Sequence, residues 1–211
     1  MSNVLTRKIR SLNQMESRIS GCTRCSELYR CCCKPSLGRG SLQADIIVVF
    51  PWENQLGRDR AYLKTLAQLL REKLKPGGEV YYSFLVRCAT KLCLARREKS
   101  RLLEGKYITG DNQCVLSGQP CSIEPTEPGM EAVLNCLHYI VEEIAILEPD
   151  WIVTVGNLAS VALLNTLGLL TADWGGVLGN QVFHHYKYGL LCLDNYPDIE
   201  TYRRVIPAIP W

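Results

Sequence analysis

Apolar residues follow two alternating rhythms along this chain. Short continuous runs, Asp45 to Phe50, Glu79 to Val86 and Trp151 to Val155, predict strands buried on both faces, as a parallel sheet requires. Between them run helical stripes. Leu5, Ile9, Leu12 and Met15 mark a helix over 1–20, and Leu63, Leu66, Ala67, Leu70 and Leu74 mark another over about 58–74, stopped by Pro76-Gly77-Gly78. Val133, Leu137, Ile140, Val141 and Ile144 give a third over about 129–147. The turn Gly156-Asn157 introduces a helix over 158–167 that Gly168 closes. Strand candidates at 181–185 and 190–193 and a short final helix complete the pattern. Strands alternating with helices in this way define an α/β domain with a central parallel sheet. Ligands on such sheets bind beyond the carboxyl ends of the strands, here 50–54, 86–88, 156–157 and 194–198.

One stretch, 89–128, lacks a period. It opens with Lys91, Arg96, Arg97, Lys99, Arg101 and Lys106 and then turns polar around Cys114 and Cys121. It reads as an insertion on the surface of a single domain spanning 1–211. Lys91, Arg96, Arg97, Lys99 and Arg101 are dense enough to contact successive phosphates. Charge is divided unevenly along the whole chain. Residues 1–110 carry 21 Lys and Arg against 9 Asp and Glu, a balance of +12, and residues 111–211 carry 3 against 12, a balance of −9. A basic half of this kind suggests a polyanionic partner. With 47% hydrophobic and 21% charged residues the chain is not a disordered one. No run of about 18 apolar residues is present, so no membrane span is expected. The basic, polar residues 1–20 lack an apolar core of a secretory signal, and the expected location is intracellular, in cytoplasm or nucleus.

The 11 cysteines are the most unusual feature. In a reducing compartment such a count argues for metal or cluster ligation over disulfides. Cys22-Thr23-Arg24-Cys25 places two thiols for one centre, Cys88 follows a strand, and Cys136 lies on the inward face of the helix 129–147. A loop folded over that corner would gather Cys22, Cys25, Cys88 and Cys136, a set that suits either Zn²⁺ or an iron–sulfur cluster. Cys31, Cys32 and Cys33 offer a substitute for Cys25. Burial of Cys88 and Cys136 as small hydrophobes is the simpler reading.

In this order of motifs the sequence resembles the iron–sulfur uracil-DNA glycosylases of bacteria and archaea. The resemblance rests on the Cys22–Cys25 pair before a first buried strand, on Phe84-Leu85-Val86-Arg87-Cys88, and on Glu131-Ala132-Val133-Leu134-Asn135-Cys136. Pro149-Asp150-Trp151-Ile152-Val153-Thr154-Val155-Gly156 matches the strand and turn that follow in that family. It covers about 22–204, interrupted by 89–128. It implies an α/β/α sandwich around a mainly parallel four-stranded sheet, and a [4Fe–4S] cluster on Cys22, Cys25, Cys88 and Cys136 near a DNA-facing side.

The family's catalytic motifs are replaced. Its Gly-rich water-handling loop is Phe50-Pro51-Trp52-Glu53-Asn54 here, its uracil-reading Asn is Phe84, and the His of its His-Pro motif is Tyr196 before Pro197-Asp198. A uracil edge without its Asn partner leaves polar groups unpaired, at about 1–3 kcal/mol each. Ordinary uracil excision is therefore not expected. Glu53 and Asp198 remain as candidate catalytic carboxylates, against the reading of both as solvated loop acids. Phe50, Trp52, Phe84 and Tyr196 are candidates for a base pocket, against a space-filling role. The expectation is a cluster-bearing glycosylase-like protein that binds DNA or a protein of replication or transcription. Two alternatives stand beside it, an active glycosylase for an uncommon or damaged base and a zinc-stabilised interaction module.

Overall fold

The computed structural model describes residues 3–32, 34–91, 106–115, 117–123, 125–169 and 178–210. Of the basic run singled out above, Lys91 lies within these residues, and Arg96, Arg97, Lys99 and Arg101 lie outside them.

Within the described residues the elements run α1 (Asn3–Ser20), α2 (Ser26–Cys31), β1 (Arg39–Gly40), β2 (Ile46–Trp52), α3 (Gln55–Arg58), α4 (Arg60–Leu74), β3 (Val80–Val86), α5 (Met130–Leu147), β4 (Trp151–Val155), α6 (Asn157–Thr166), β5 (Gln181–His184), β6 (Gly189–Leu193) and α7 (Ile199–Ala208). The chain is an α/β protein with a six-stranded mixed sheet in the order β1-β3-β2-β4-β6-β5. The expected sheet had four strands. The contiguous strands β3, β2, β4 and β6 are mutually parallel, and an antiparallel strand is added at each edge. Both additions have local causes. β5 turns back on β6 through residues 185–188, with the His185 N–H donating to the Tyr188 carbonyl, and so short a connection can only join antiparallel strands. β1 is two exposed residues, too short and polar to leave a hydrophobic signature.

β2 is buried from Ile46 through Pro51. Its side chains divide by parity. Ile47 and Val49 enter a core with Met15 of α1, Val133 and Ile140 of α5 and Leu163 of α6. Ile46, Val48 and Phe50 enter a second core with Leu66 and Leu70 of α4 and Tyr202 and Ile206 of α7. Helices therefore cover both faces of the sheet, which is why the strand reads as an unbroken apolar run. Each fully buried Leu contributes about 1.5–3 kcal/mol of transfer free energy relative to exposure.

Caps explain where two helices begin. Asp59 accepts hydrogen bonds from the Ala61 and Tyr62 N–H groups at 2.8 and 3.1 Å and starts α4. Asp198 accepts from the Thr201 N–H at 2.8 Å and starts α7. Between β4 and α6 the chain turns at Gly156, whose φ of +89° suits glycine.

The described part of 106–128 docks against α2. The Tyr107 N–H donates to the Arg30 carbonyl at 2.7 Å, Arg30 Nη1 donates to the Tyr107 hydroxyl at 3.0 Å, and Lys106 Nζ donates to the Cys32 carbonyl at 3.1 Å. Tyr107 and Ile108 are buried there.

Candidate metal centre and the neighbouring strand ends

Five thiols meet at one corner. Cys22 and Cys25 lie between α1 and α2, Cys32 just after α2, Cys88 two residues past β3, and Cys136 in the second turn of α5. Cys22, Cys25 and Cys88 pack against the core cluster that contains Cys136. Electrostatics link the same groups, because Cys22 and Cys25 both act on Cys136, and Cys136 and Cys25 both act on Cys88. Cys32 was offered by the sequence only as one of three substitutes. It is hydrogen-bonded to Cys88, and this bond, with the Ala89 N–H and the nearby Lys106 and Lys91, holds its thiol down to about 7; Cys33 lies outside the described residues. The Cys88 thiol is pushed up, first by the same bond and then by burial.

N–H donors surround the sulfurs. Asn135 Nδ2 donates to Cys25 Sγ at 3.6 Å and the Ala89 N–H to Cys32 Sγ at 3.5 Å. The Arg87 backbone N–H donates to Cys136. Hydrogen bonds to sulfur favour the thiolate and are the usual second layer around thiolate-ligated metals. Burial opposes them, raising Cys25 and Cys136 above the ordinary thiol range. At Cys25 and Cys136 burial and sulfur-directed donors therefore act in opposite directions.

Behind the thiols lies a buried ion pair. Arg87 and Glu143 have side-chain exposures of 1% and 0% and are joined through Nη2 and Oε2. Glu143 also accepts from the Tyr81 hydroxyl at 2.9 Å and from the Ser83 hydroxyl. Gly38 lies directly against this group, and a Cβ there would collide with the Tyr81 hydroxyl and the Glu143 carboxylate. Arg87 Nε and Nη1 are buried without a partner. The Arg87 charge is matched by Glu143, while its Nε and Nη1 donors stay unmet at a distance from which the guanidinium acts on Cys136.

These observations test the fit of a thiolate-bound metal group. The donor set is all sulfur, its hydrogen-bond donors are in place, and the Glu143-paired Arg87 nearby keeps Nε and Nη1 unbonded. As placed, no group of three or more His, Cys, Asp or Glu side chains among the described residues is closed around a single ion. Cys114 and Cys121 sit apart in the docked segment, where the Cys114 N–H donates to the Gln119 carbonyl and Cys121 Sγ accepts from Lys91 Nζ at 3.7 Å.

At the carboxyl ends of β2 and β3 the picture differs. Glu53 Oε1 accepts from Arg39 at 3.0 Å, and Oε2 accepts from Arg58 at 3.2 Å and from the Ser36 hydroxyl at 2.9 Å. Asp198 is the cap of α7, bonded to both the N–H and the hydroxyl of Thr201, and those bonds hold its carboxyl below the usual range. Phe84 has no exposed surface and Phe50 almost none. Their rings lie 6.3 Å apart, with the Arg39 guanidinium 5.4 Å from the Phe84 centroid. Trp52 is half-buried with its indole N–H unpartnered. The Tyr196 hydroxyl accepts from Asn180 Nδ2 at 2.7 Å and donates to Asp194 at 3.3 Å, and its ring meets Tyr202 edge-on. Phe50 and Phe84 are core, and Tyr196 belongs to a tyrosine–Asp194 network.

Neither a scan against protein-family models nor a search of curated proteins returns a match for this chain.

Proposed function

We propose that this chain is an iron–sulfur protein of uracil-DNA-glycosylase type that has lost ordinary uracil excision and works by binding, with DNA as the leading partner and a replication or transcription protein as the other candidate. The observation that carries this reading is the meeting of Cys22, Cys25, Cys88 and Cys136 from three distant parts of the sequence, beside a buried arginine with unmet donors. Those four cysteines would hold the [4Fe–4S] group, with Cys32 next to Cys88 as the spare thiol. Zn²⁺ is the alternative occupant. A bound cluster would supply an anionic anchor tying the α1–α2 connection, the end of β3 and α5 together. The chain's own residues prepare for it. Asn135, Ala89 and the Arg87 backbone aim N–H groups at sulfur, and the Arg87 side chain, paired with Glu143, keeps two donor atoms unbonded nearby.

The loss of excision follows from the other corner. Removing a base requires that it be read on its polar edge and that the leaving anion be stabilised. Phe84 offers a uracil neither donor nor acceptor and is sealed in the core. Glu53 has two arginines and a serine on its oxygens, and Asp198 caps a helix. Loss of one oxyanion donor alone typically costs roughly 10²–10³ in rate, and Glu53, Asp198 and Tyr196 each already have structural partners. The test is base release from single- and double-stranded DNA containing uracil, hypoxanthine, xanthine or a mismatch. We expect no uracil release. Robust excision abolished by Glu53→Gln or Asp198→Asn would replace this reading with that of an enzyme whose site has been rebuilt.

A further inference from the structure

A groove of about 570 Å³ runs between β1, β3 and α4, away from the thiols. Arg39, Arg58, Arg60, Lys64 and Arg71 line it, Tyr82 forms part of its wall, and no acidic residue is among its lining. Arg60, Lys64 and Arg71 stand on one face of α4, at spacings of four and seven residues. At 1.5 Å per residue this row extends about 16 Å. Cations spread over such a length suit several anions in series better than one.

The cations fall into two kinds. Arg39 and Arg58 share the Glu53 carboxylate, and Arg39 also donates to the Gly57 carbonyl. Arg71 Nε donates to the Gly78 carbonyl at 2.7 Å and its guanidinium reaches Glu79 at 3.9 Å. These three guanidinium groups are held in place and keep N–H groups to spare, since each carries five donors. Arg60 and Lys64 are exposed, with no acidic partner among the described residues. The Tyr82 ring is half-buried in the groove wall, with its hydroxyl donating to the Leu63 carbonyl at 2.5 Å. A row of fixed and free cations beside an aromatic surface is the arrangement that tracks a nucleic-acid backbone.

We infer that this groove binds successive phosphates of a nucleic-acid strand, and that Glu53 serves it as a positioning residue that fixes two arginines. The inference rests on the proposed nucleic-acid binding and names where that binding occurs. It assigns the contacts to α4 and β1 in addition to the basic run that begins at Lys91.

The test uses the full chain and a fluorescently labelled oligonucleotide, single-stranded and duplex, titrated at several salt concentrations. Arg60→Ala/Lys64→Ala removes two exposed cations without an acidic partner among the described residues, and Lys187→Ala, on the β5–β6 turn, is the control. We expect strand binding by the unmodified chain and weaker binding by the double variant. Its slope of log affinity against log salt should be shallower by about 1.4 on single strands, at about 0.7 per phosphate contact. Lys187→Ala should bind as the unmodified chain does, and inorganic phosphate or a mononucleotide should compete only weakly. Equal affinity and slope in the double variant would overturn the groove while leaving nucleic-acid binding in place. No binding by the unmodified chain at low salt would overturn both. Competition by a mononucleotide equal to that of the strand would replace a phosphate track with a single-anion site.

Discussion

Two corners of the same sheet use their polar groups in opposite ways. At the thiol corner, sulfurs from α1–α2, β3 and α5 converge, N–H donors point at them, and a buried arginine keeps two donors unpaired. At the ends of β2 and β6, the polar groups the sequence offered for chemistry already have structural partners. Glu53 ties Arg39, Arg58 and Ser36 together, Asp198 caps α7, and Tyr196 is bonded within its own network. A site that awaits a ligand leaves capacity unspent, because an unmet buried donor costs free energy that a ligand can recover.

The sharpest way to break this contrast is to remove a thiol. Cys88→Ala or Cys136→Ala should abolish cluster binding, read as loss of iron and of visible absorbance, and Cys114→Ala should leave both unchanged. Retention of full iron in Cys88→Ala with loss in Cys32→Ala would move the ligand set onto the thiol that sequence spacing ranked lower.

A second variant probes the buried pair. Glu143→Ala leaves Arg87 without its carboxylate in an environment where both groups are almost fully enclosed. The expected cost is about 3–5 kcal/mol of unfolding free energy by urea titration. A loss below about 1 kcal/mol, the range of exposed pairs, would show that Arg87 finds another partner.

Smaller effects sharpen the other corner. Asp59→Ala should cost about 1 kcal/mol through loss of the α4 cap, read by urea titration. Asp198→Asn should have almost no effect at neutral pH, since Asn also caps well. Its effect lies in acid. The Asp198 carboxyl is held low by Thr201, so its contribution is complete above the unfolded carboxylate pKa, about 3.9. That contribution is lost as pH falls through the lower folded value. The Asn variant should flatten the acid limb of the stability profile, measured as Tm against pH. An Asp198→Asn protein with normal stability and altered chemistry on DNA would mark the residue as a catalyst instead.

The sequence reads differently in the two corners for physical reasons. Ile46–Val49 and Trp151–Val155 are legible as strands because burial on both faces forces continuous β-branched and apolar residues. The helix that carries Cys136 is legible from its period, and so is the inward direction of that thiol, which is 4% exposed. α2, α3 and β1 are six, four and two residues long, and elements that short carry no period. Glu53 looks like a free acid because one of its arginines is 14 residues away, at Arg39. The Arg87–Glu143 pair spans 56 residues. The basic groove joins Arg39 of β1 to Arg58, Arg60, Lys64 and Arg71 of α3 and α4, a looser spacing than the run after Lys91. Pairings of this kind are properties of the packed sheet and have no local signature.

The central claim is that the thiol corner holds an iron–sulfur cluster. It is tested most directly by the iron and acid-labile sulfide content of the full chain purified without oxygen, read with its absorbance spectrum. The account predicts a brown protein with broad near-ultraviolet and visible absorbance, containing iron and sulfide in equal amounts, both lost in Cys88→Ala. A colourless protein replete with zinc, or one free of metal that remains fully folded, would contradict it.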